Sequence, residues 1–166
     1  MRSLRLATPA DIPTLIALER LTESQLYVGQ WSEERHRATL AGEDARYYVV
    51  DAADGSLAAY AILRGLAENS GSIELKRVVV GEPGNGLGRR ILTELLRIAF
   101  DELRAHRIFL DVYDDNLRAQ HLYRSLGFKQ EGTMRDAASR NGRWHDLLLM
   151  SMLKREYTAQ NRPART

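Results

Sequence analysis

The chain has 166 residues, of which 44% are hydrophobic and 28% charged, with a formal net charge of +2 and no cysteine. This composition fits a globular domain and excludes a mainly disordered chain, and the near-balanced charge gives no argument for nucleic-acid binding. Without cysteine, disulfides, thiolate zinc sites and a cysteine acyl-enzyme are impossible. No apolar run approaches the length of a membrane span and the N-terminus lacks an apolar signal core, so we expect a cytoplasmic protein with no membrane contact.

The first half of the chain predicts two helices followed by an antiparallel meander. After a short strand around Leu4 and Leu6, Thr8 is a plausible N-cap for the first helix. Ser32 predicts the start of a second helix that ends near Gly42, and the residues between the two helices are less regular. Asp54-Gly55 is typical of a hairpin turn. The three strands of the meander are predicted over residues 47–50, 57–63 and 73–80.

The second half predicts alternating helices and strands, then a hairpin. Helical spacing of apolar residues predicts the longest helix over residues 88–103, and a buried strand follows over 108–112. The next helix is predicted over 117–126, where Gly127 ends it and Phe128 is the apolar residue beyond. Two final strands, joined by a turn at Asn141-Gly142, reach Leu153.

This element order predicts a mixed α/β fold with helices on the faces of a mostly antiparallel sheet. No repeat, linker or composition change divides the chain. We therefore expect one domain over residues 1–157 and a disordered tail over residues 158–166.

The most informative stretch is Gly84-Asn85-Gly86-Leu87-Gly88-Arg89-Arg90, between a β-branched strand and a helix. Glycines let backbone approach a ligand closely, and the N–H groups of a helix N-terminus bind phosphate. Arg89 and Arg90 oppose the dipole of the first helical turn, which favours a role as phosphate partners. The lysine of a P-loop is missing after Gly88, and the glycine spacing differs from a dinucleotide fingerprint. A glycine-rich connector without a ligand is the alternative.

Together with later motifs, this loop resembles the GNAT superfamily of acetyl-CoA-dependent N-acetyltransferases. The resemblance covers nearly the whole chain and includes Asn116 and the segment Leu122-Tyr123-Arg124-Ser125-Leu126-Gly127-Phe128. Residues 131–151 are similar to the branch of ribosomal-protein-alanine and spermidine acetyltransferases. The resemblance implies a central twisted sheet of about seven strands. Pro83 stands where the family usually has Gln or Arg, which leaves the register of the preceding strand open.

The resemblance also implies how acetyl-CoA is bound, with no metal. In this family the strand before the loop pairs through its backbone with the pantetheine arm, and the loop N–H groups hold the pyrophosphate. Asn116 would reach the arm, or act simply as an N-cap. The implied cofactor-binding residues are Val78, Val79, Val80, Gly84, Asn85, Gly86, Leu87, Gly88, Arg89, Asn116 and Tyr123.

Two residues are candidates for catalysis. The resemblance places Tyr123 beside the thioester sulfur as the general acid that protonates the thiolate, whereas a core tyrosine is the alternative. Strand alternation puts Glu74 on the same face as Val78 and Val80, which makes it a candidate base. A surface ion pair with Lys76 or an arginine is the alternative for Glu74, with water as the base.

The family resemblance places the irregular segment between the first two helices over the acceptor pocket. Tyr27 and Trp31 in that segment either line a substrate groove or cap the core. We therefore expect an enzyme that acetylates a primary amine by direct attack in a ternary complex. The acceptor is a small-molecule amine, such as a polyamine, or a peptide N-terminus, and a homodimer is an allowed assembly. The alternative is a non-catalytic acyl-CoA-binding sensor module.

Overall fold

The computed structural model describes residues 4–162, except for the side chains of residues 22–24. The chain divides into two compact units. The N-terminal unit comprises Met1–Ser70 and Glu74–Glu94, and the C-terminal unit comprises Gly71–Ile73 and Leu95–Thr166. The expectation of one domain over residues 1–157 stays a prediction.

Seven strands and six α-helices lie within the described residues. The strands are β1 (Leu4–Leu6), β2 (Ala45–Asp51), β3 (Leu57–Arg64), β4 (Ser72–Val80), β5 (Arg107–Tyr113), β6 (Lys129–Arg140) and β7 (Arg143–Leu153). The helices are α1 (Ile12–Glu19), α2 (Thr22–Tyr27), α3 (Glu33–Ala41), α4 (Leu87–Arg97), α5 (Leu117–Ser125) and α6 (Lys154–Gln160).

The strands form one seven-stranded sheet in the order β1-β2-β3-β4-β5-β7-β6. The pairs β1–β2, β2–β3, β3–β4, β5–β7 and β6–β7 are antiparallel. The predicted fold class, a mixed α/β fold with a mostly antiparallel sheet, is therefore confirmed.

In the N-terminal unit, apolar side chains of the sheet pack against α1. Leu15 and Leu18 of α1 join Tyr47, Tyr60 and Val79 in one buried cluster. Alternation along β2, β3 and β4 supplies the strand side of this core, and the i, i+3 spacing of the two leucines supplies the helix side. This burial holds β4, the strand that precedes the glycine loop, against helix α1.

The segment between α1 and β2 is more regular than the sequence predicts. Ser32 caps α3 as expected, because its Oγ accepts a hydrogen bond of 3.2 Å from the N–H of Arg35. Residues Thr22–Tyr27 form the additional short helix α2, in a segment that lacks a clear apolar period. A six-residue helix is too short for periodicity to reveal it.

Strand β4 alternates strictly between a buried and a half-buried face. Ile73, Leu75, Arg77 and Val79 are buried, whereas Glu74, Lys76, Val78 and Val80 are partly exposed. The predicted division of the strand into these two faces is confirmed. The register with β3 shifts so that Arg77 opposes Ile62 and Leu75 opposes Leu63, which leaves Lys76 as a bulge. The sequence did not predict this bulge.

In the C-terminal unit, α5 ends as its sequence predicts. Gly127 has a φ of +100°, a conformation that side chains with a Cβ rarely adopt. The N–H of Phe128 donates to the carbonyl of Tyr123 at 3.0 Å, and the N–H of Gly127 donates to Arg124 at 3.0 Å. These two bonds form a Schellman motif, which stops the helix and buries Phe128.

The end of the chain differs from the expectation of a disordered tail from residue 158. Helix α6 continues through Gln160, and residues 163–166 lie outside the described residues. Tyr157 stacks on Phe100 with ring centroids 4.8 Å apart, and Lys154 Nζ donates to Asp101 at 2.8 Å. These contacts give the last helix tertiary support, which local propensity does not report.

Among the described residues, no helix is both long and apolar enough to cross a membrane.

Candidate active site

The glycine loop connects the end of β4 to the first turn of α4. Gly84 has a φ of +96° and Gly86 a φ of +78°, so both adopt backbone conformations that favour glycine. A Cβ placed on Gly86 would meet no atom within 4 Å, so the space beside the loop backbone is open. Such an open backbone cradle at a helix N-terminus fits a phosphate group.

Asn85 organises the first turn of α4. Its side-chain Oδ1 accepts a hydrogen bond of 3.0 Å from the N–H of Leu87, and Leu87 is buried. Gly88 lies in the first turn, and Arg89 and Arg90 are exposed on it. The loop residues predicted to hold the pyrophosphate are thus consecutive around one helix N-terminus.

A groove of about 590 Å³ borders this loop in the N-terminal unit. Its lining includes Asn85 and Leu87 of the loop, Leu18 and Leu21 at the end of α1, and Glu82. Apolar walls with a few polar groups are typical of ligand sites. The loop therefore opens onto concave surface instead of flat surface.

Val78, Val79 and Val80 are the last three residues of β4 before the loop. Val79 is buried in the core, whereas Val78 and Val80 lie on the half-buried face. Their Cα partners on β3 are Ala61, Tyr60 and Ala59. The structure thus brings these valines and the glycine loop together in the N-terminal unit, as the cofactor prediction requires.

Asn116 and Tyr123 lie in the C-terminal unit, at the start and within α5. The Oδ1 of Asn116 accepts a hydrogen bond of 3.2 Å from the N–H of Ala119, so Asn116 is the N-cap of α5. Gln120, which is buried, fixes the turn before it by donating to the carbonyls of Tyr113 and Asp114 at 2.9 Å. The capping alternative holds, and a contact with acetyl-CoA remains a prediction.

Tyr123 packs its ring edge-on against Phe128, with centroids 5.7 Å apart. Among the side chains that the structure describes, none hydrogen-bonds its hydroxyl, which leaves the group available to a ligand. Burial and, secondarily, the charge of Asp111 raise the pKa of Tyr123 to about 12. The phenol therefore keeps its proton at neutral pH, as a general acid must.

Glu74, the candidate base, is held between two cations. Arg64 donates to its Oε2 at 2.9 and 2.8 Å, and Lys76 Nζ lies 3.4 Å from its Oε1. The structure thus contains the ion pairs of the alternative interpretation. Because both of these cations engage its carboxylate, the role of Glu74 as base stays a prediction.

Trp31 lines a second groove, of about 290 Å³, in the N-terminal unit. The guanidinium carbons of Arg35 and Arg77 lie 4.0 and 4.1 Å from its ring centroid. Tyr27, at the end of α2, is half-buried and does not line this groove. Of the two aromatic residues predicted near the acceptor, Trp31 therefore borders this groove and Tyr27 does not.

Sequence reasoning missed a buried polar cluster around Glu19. The carboxylate is fully buried and accepts hydrogen bonds from the Tyr60 hydroxyl and from Arg77. Glu19 follows Leu15 by four residues, so helical spacing alone places it on the apolar face of α1. That spacing was the available signal, because a charged residue on a core-facing position requires a partner.

The structure also groups residues that sequence spacing does not connect. Ligand atoms of Asp114, Asp115 and His145 lie within 4.8 Å of one another on the surface of the C-terminal unit. Arg140 forms an ion pair with Asp115, and its hydrogen bond to that carboxyl, followed by its charge, lowers the pKa of Asp115. This grouping combines two exposed aspartates with a half-buried histidine, and Asp115 is already ion-paired.

A sequence profile described as "Acetyltransferase (GNAT) family" matches residues 15–128. The chain belongs to this family. It is therefore an acetyl-CoA-dependent N-acetyltransferase, and the non-catalytic sensor alternative is not favoured.

Several known acetyltransferases are similar to this chain in sequence or in structure. The chain is 28% identical to YdaF of Bacillus subtilis, over 95% of this chain and 94% of that protein. It is 35% identical to the N-alpha-acetyltransferase RimI of Mycobacterium tuberculosis, over 68% of this chain and 72% of RimI. A crystal structure of spermidine N-acetyltransferase from Vibrio cholerae in complex with CoA and spermine matches with a TM-score of 0.82 and 25% identity. That match covers 93% of this chain and 96% of the other.

Proposed function

We propose that this enzyme acetylates the primary amine of a polyamine or of a peptide N-terminus by direct attack in a ternary complex. The observation that carries the acetyl-CoA half is the open backbone cradle at Gly84–Gly88, where a Cβ on Gly86 would meet nothing within 4 Å. The names of the similar proteins support both acceptor classes, since one is a spermidine and another an N-alpha-acetyltransferase.

Two groups of residues would hold acetyl-CoA. The loop N–H groups from Gly84 to Arg89 would bind the pyrophosphate, while backbone groups of Val78 and Val80 would pair with the pantetheine arm. Asn116 and Tyr123 are the other residues that we propose contact the arm. When bound, acetyl-CoA supplies the thioester that the amine attacks.

Three chemical tasks then fall to the chain. A backbone N–H near Val78 or Val79 stabilises the oxyanion of the tetrahedral intermediate. Tyr123 donates its proton to the departing thiolate, which its raised pKa permits at neutral pH. The amine loses its proton to ordered water or to Glu74, whose carboxylate is ion-paired with Arg64 and Lys76.

The groove at Trp31 is the proposed acceptor site. Trp31 contacts the guanidinium of Arg77, the residue that directly precedes Val78 on β4. Glu43 and Asp44 also line it. Of the arginines that line the groove, Arg64 is paired with Glu74, and Glu43 and Asp44 are the carboxylates that attract a cationic amine.

A thiol-release screen tests the proposed function. The protein is incubated with acetyl-CoA and, in turn, spermidine, spermine, free amino acids and short peptides with free or blocked N-termini. We expect thiol release that depends on one class of free amine and disappears when that amine is blocked. If the protein binds acetyl-CoA but releases no thiol with any amine, the result would support the alternative of a non-catalytic acyl-CoA-binding sensor.

Arg89 offers a further test, because charge reversal at the first turn of α4 separates phosphate binding from fold stability. We expect Arg89→Glu to weaken acetyl-CoA binding by roughly tenfold, the effect of one lost hydrogen bond to a charged group. The remaining affinity becomes less salt-sensitive, while Tm stays equal or rises slightly because a carboxylate suits a helix N-terminus.

Arg46→Glu is the matched control for net charge, since Arg46 is exposed on β2. It should leave acetyl-CoA affinity unchanged, as measured by calorimetric titration. A variant Arg89→Glu that loses stability but keeps its affinity would show that Arg89 is structural.

A further inference from the structure

Five side chains of the N-terminal unit form what we name the Glu19 cluster: Glu19, His36, Tyr47, Tyr60 and Arg77. One oxygen of Glu19, Oε1, accepts hydrogen bonds from the Tyr60 hydroxyl and from Nη1 of Arg77. Nε2 of His36 lies 3.2 Å from the same oxygen without hydrogen-bond alignment, and its Nδ1 is 3.0 Å from the Tyr47 hydroxyl. Burial disfavours the charged carboxylate, but these partners lower the pKa of Glu19 below its ordinary value.

Arg77 connects this cluster to two other parts of the unit. Only 8% of the residue is exposed, and its guanidinium lies over the ring of Trp31. A Cβ on Gly29 would lie 3.5 Å from its Nη2, so the backbone before Trp31 passes close to the same group. One side chain of β4 thus contacts the end of α1 and the segment that supplies a wall of the Trp31 groove.

The position of Arg77 within β4 makes the contacts of its side chain important for the backbone of the strand. Arg77 directly follows the bulge at Lys76 and directly precedes Val78. A bulge interrupts the ladder of backbone hydrogen bonds and bends the strand. Because the ladder to β3 supports the strand less at this point, the contacts of the Arg77 side chain supply the missing restraint.

We propose that Arg77, held by Glu19, is a positioning residue of the transfer reaction. It fixes the backbone of Val78 relative to the Trp31 groove, so that the two substrates meet in the reactive geometry. This inference rests on the proposed function, which assigns Val78 to acetyl-CoA and the groove to the acceptor. Displacement of reacting groups by about 1 Å can cost on the order of 100-fold in rate. Loss of the contact between Arg77 and Glu19 therefore lowers kcat, while the glycine loop still binds acetyl-CoA.

The test is a double-mutant cycle of Arg77→Met, Glu19→Gln and the two combined. The combined variant leaves neither buried charge without its partner, so it avoids the main cause of unfolding. With the amine found by thiol release, we expect kcat of the combined variant to fall at least about tenfold. KM for acetyl-CoA should stay within about threefold, because the loop is untouched. The combined loss should not exceed that of Arg77→Met alone, since the two residues act as a unit.

Arg5→Met is the matched control. Arg5 is bonded to Asp11 and Asp51 but lies on β1, three places from β4 in the sheet. It should lower Tm without changing kcat. A folded combined variant with the kcat and both KM values of the wild type would overturn the inference and leave the Glu19 cluster a stabilising feature only.

Should the combined variant fail to fold, Arg77→Lys decides the question. Lysine keeps the charge but lacks the planar fork that spans Glu19 and Trp31. A folded Arg77→Lys variant with reduced kcat supports the positioning role, and one with the kcat of the wild type contradicts it. These outcomes differ from failure of the proposed function, in which the wild-type protein itself acetylates no amine.

Discussion

Tyr123→Phe should lower kcat by at least about tenfold, because loss of a general acid costs roughly 10²–10⁴ in rate and a thiolate is already a fair leaving group. The substitution keeps the ring that packs on Phe128 and removes only the hydroxyl. Acetyl-CoA affinity should stay within a few-fold of the wild type, since the proton is needed in the transition state and not for binding. Steady-state kinetics with a verified amine and calorimetric titration of acetyl-CoA measure the two effects.

Tyr157→Phe is the matched control for Tyr123→Phe. Tyr157 lies in α6, where its hydroxyl donates to Asp101 at 3.0 Å. Its loss should leave kcat unchanged. A Tyr123→Phe variant with unchanged kcat would show that the acid is another group, and one that unfolds would show that Tyr123 serves the core.

The pH profile gives an independent check on Tyr123. Because burial raises its pKa to about 12, the phenol keeps its proton well above the ordinary tyrosine value. Rising pH therefore removes the acid only as it approaches that raised value. Between roughly pH 8 and 11, kcat of the wild type should therefore not fall through loss of the Tyr123 proton. A decline near pH 10 that disappears in Tyr123→Phe would contradict the raised pKa.

Gly86→Val should abolish measurable acetyl-CoA binding. A side chain on Gly86 would occupy the open space beside the loop backbone, where the pyrophosphate is proposed to lie. The φ of +78° also disfavours valine, by roughly 1–2 kcal/mol. The increase in Tm that acetyl-CoA produces in the wild type should therefore disappear.

Gly142→Val separates the effect of backbone strain from that of ligand exclusion. Gly142 lies in the β6–β7 turn with a φ of +74°, and a Cβ there would also meet nothing within 4 Å. Gly142→Val should thus lower Tm to a similar degree while the shift with acetyl-CoA persists. If Gly86→Val keeps the shift, the loop does not bind the pyrophosphate.

The chemistry of Glu74 and Trp31 shows where sequence-based prediction reaches its limit. Strand alternation correctly placed Glu74 on the face of Val78 and Val80. Alternation does not report which side chains approach from neighbouring strands, and Arg64 of β3 engages the carboxylate. Likewise, Trp31 could be assigned to a groove or to the core, and it contacts both.

The sequence by itself determined the features that depend on near neighbours in the chain. The turn at Asp54-Gly55, the N-cap at Ser32 and the Schellman ending at Gly127 are fixed by backbone geometry over a few residues. The glycine loop at the start of α4 belongs to the same class, since its conformation depends on glycines at fixed spacing.

Only the tertiary structure decided the features that join distant segments. The Glu19–Arg77 hydrogen bond connects residues 58 apart, and the bulge at Lys76 exists only in relation to β3. Helix α6 similarly extends past the predicted end of the domain because Tyr157 stacks on Phe100. In each case the stabilising partner comes from packing or pairing between elements, which local propensity and periodicity do not encode.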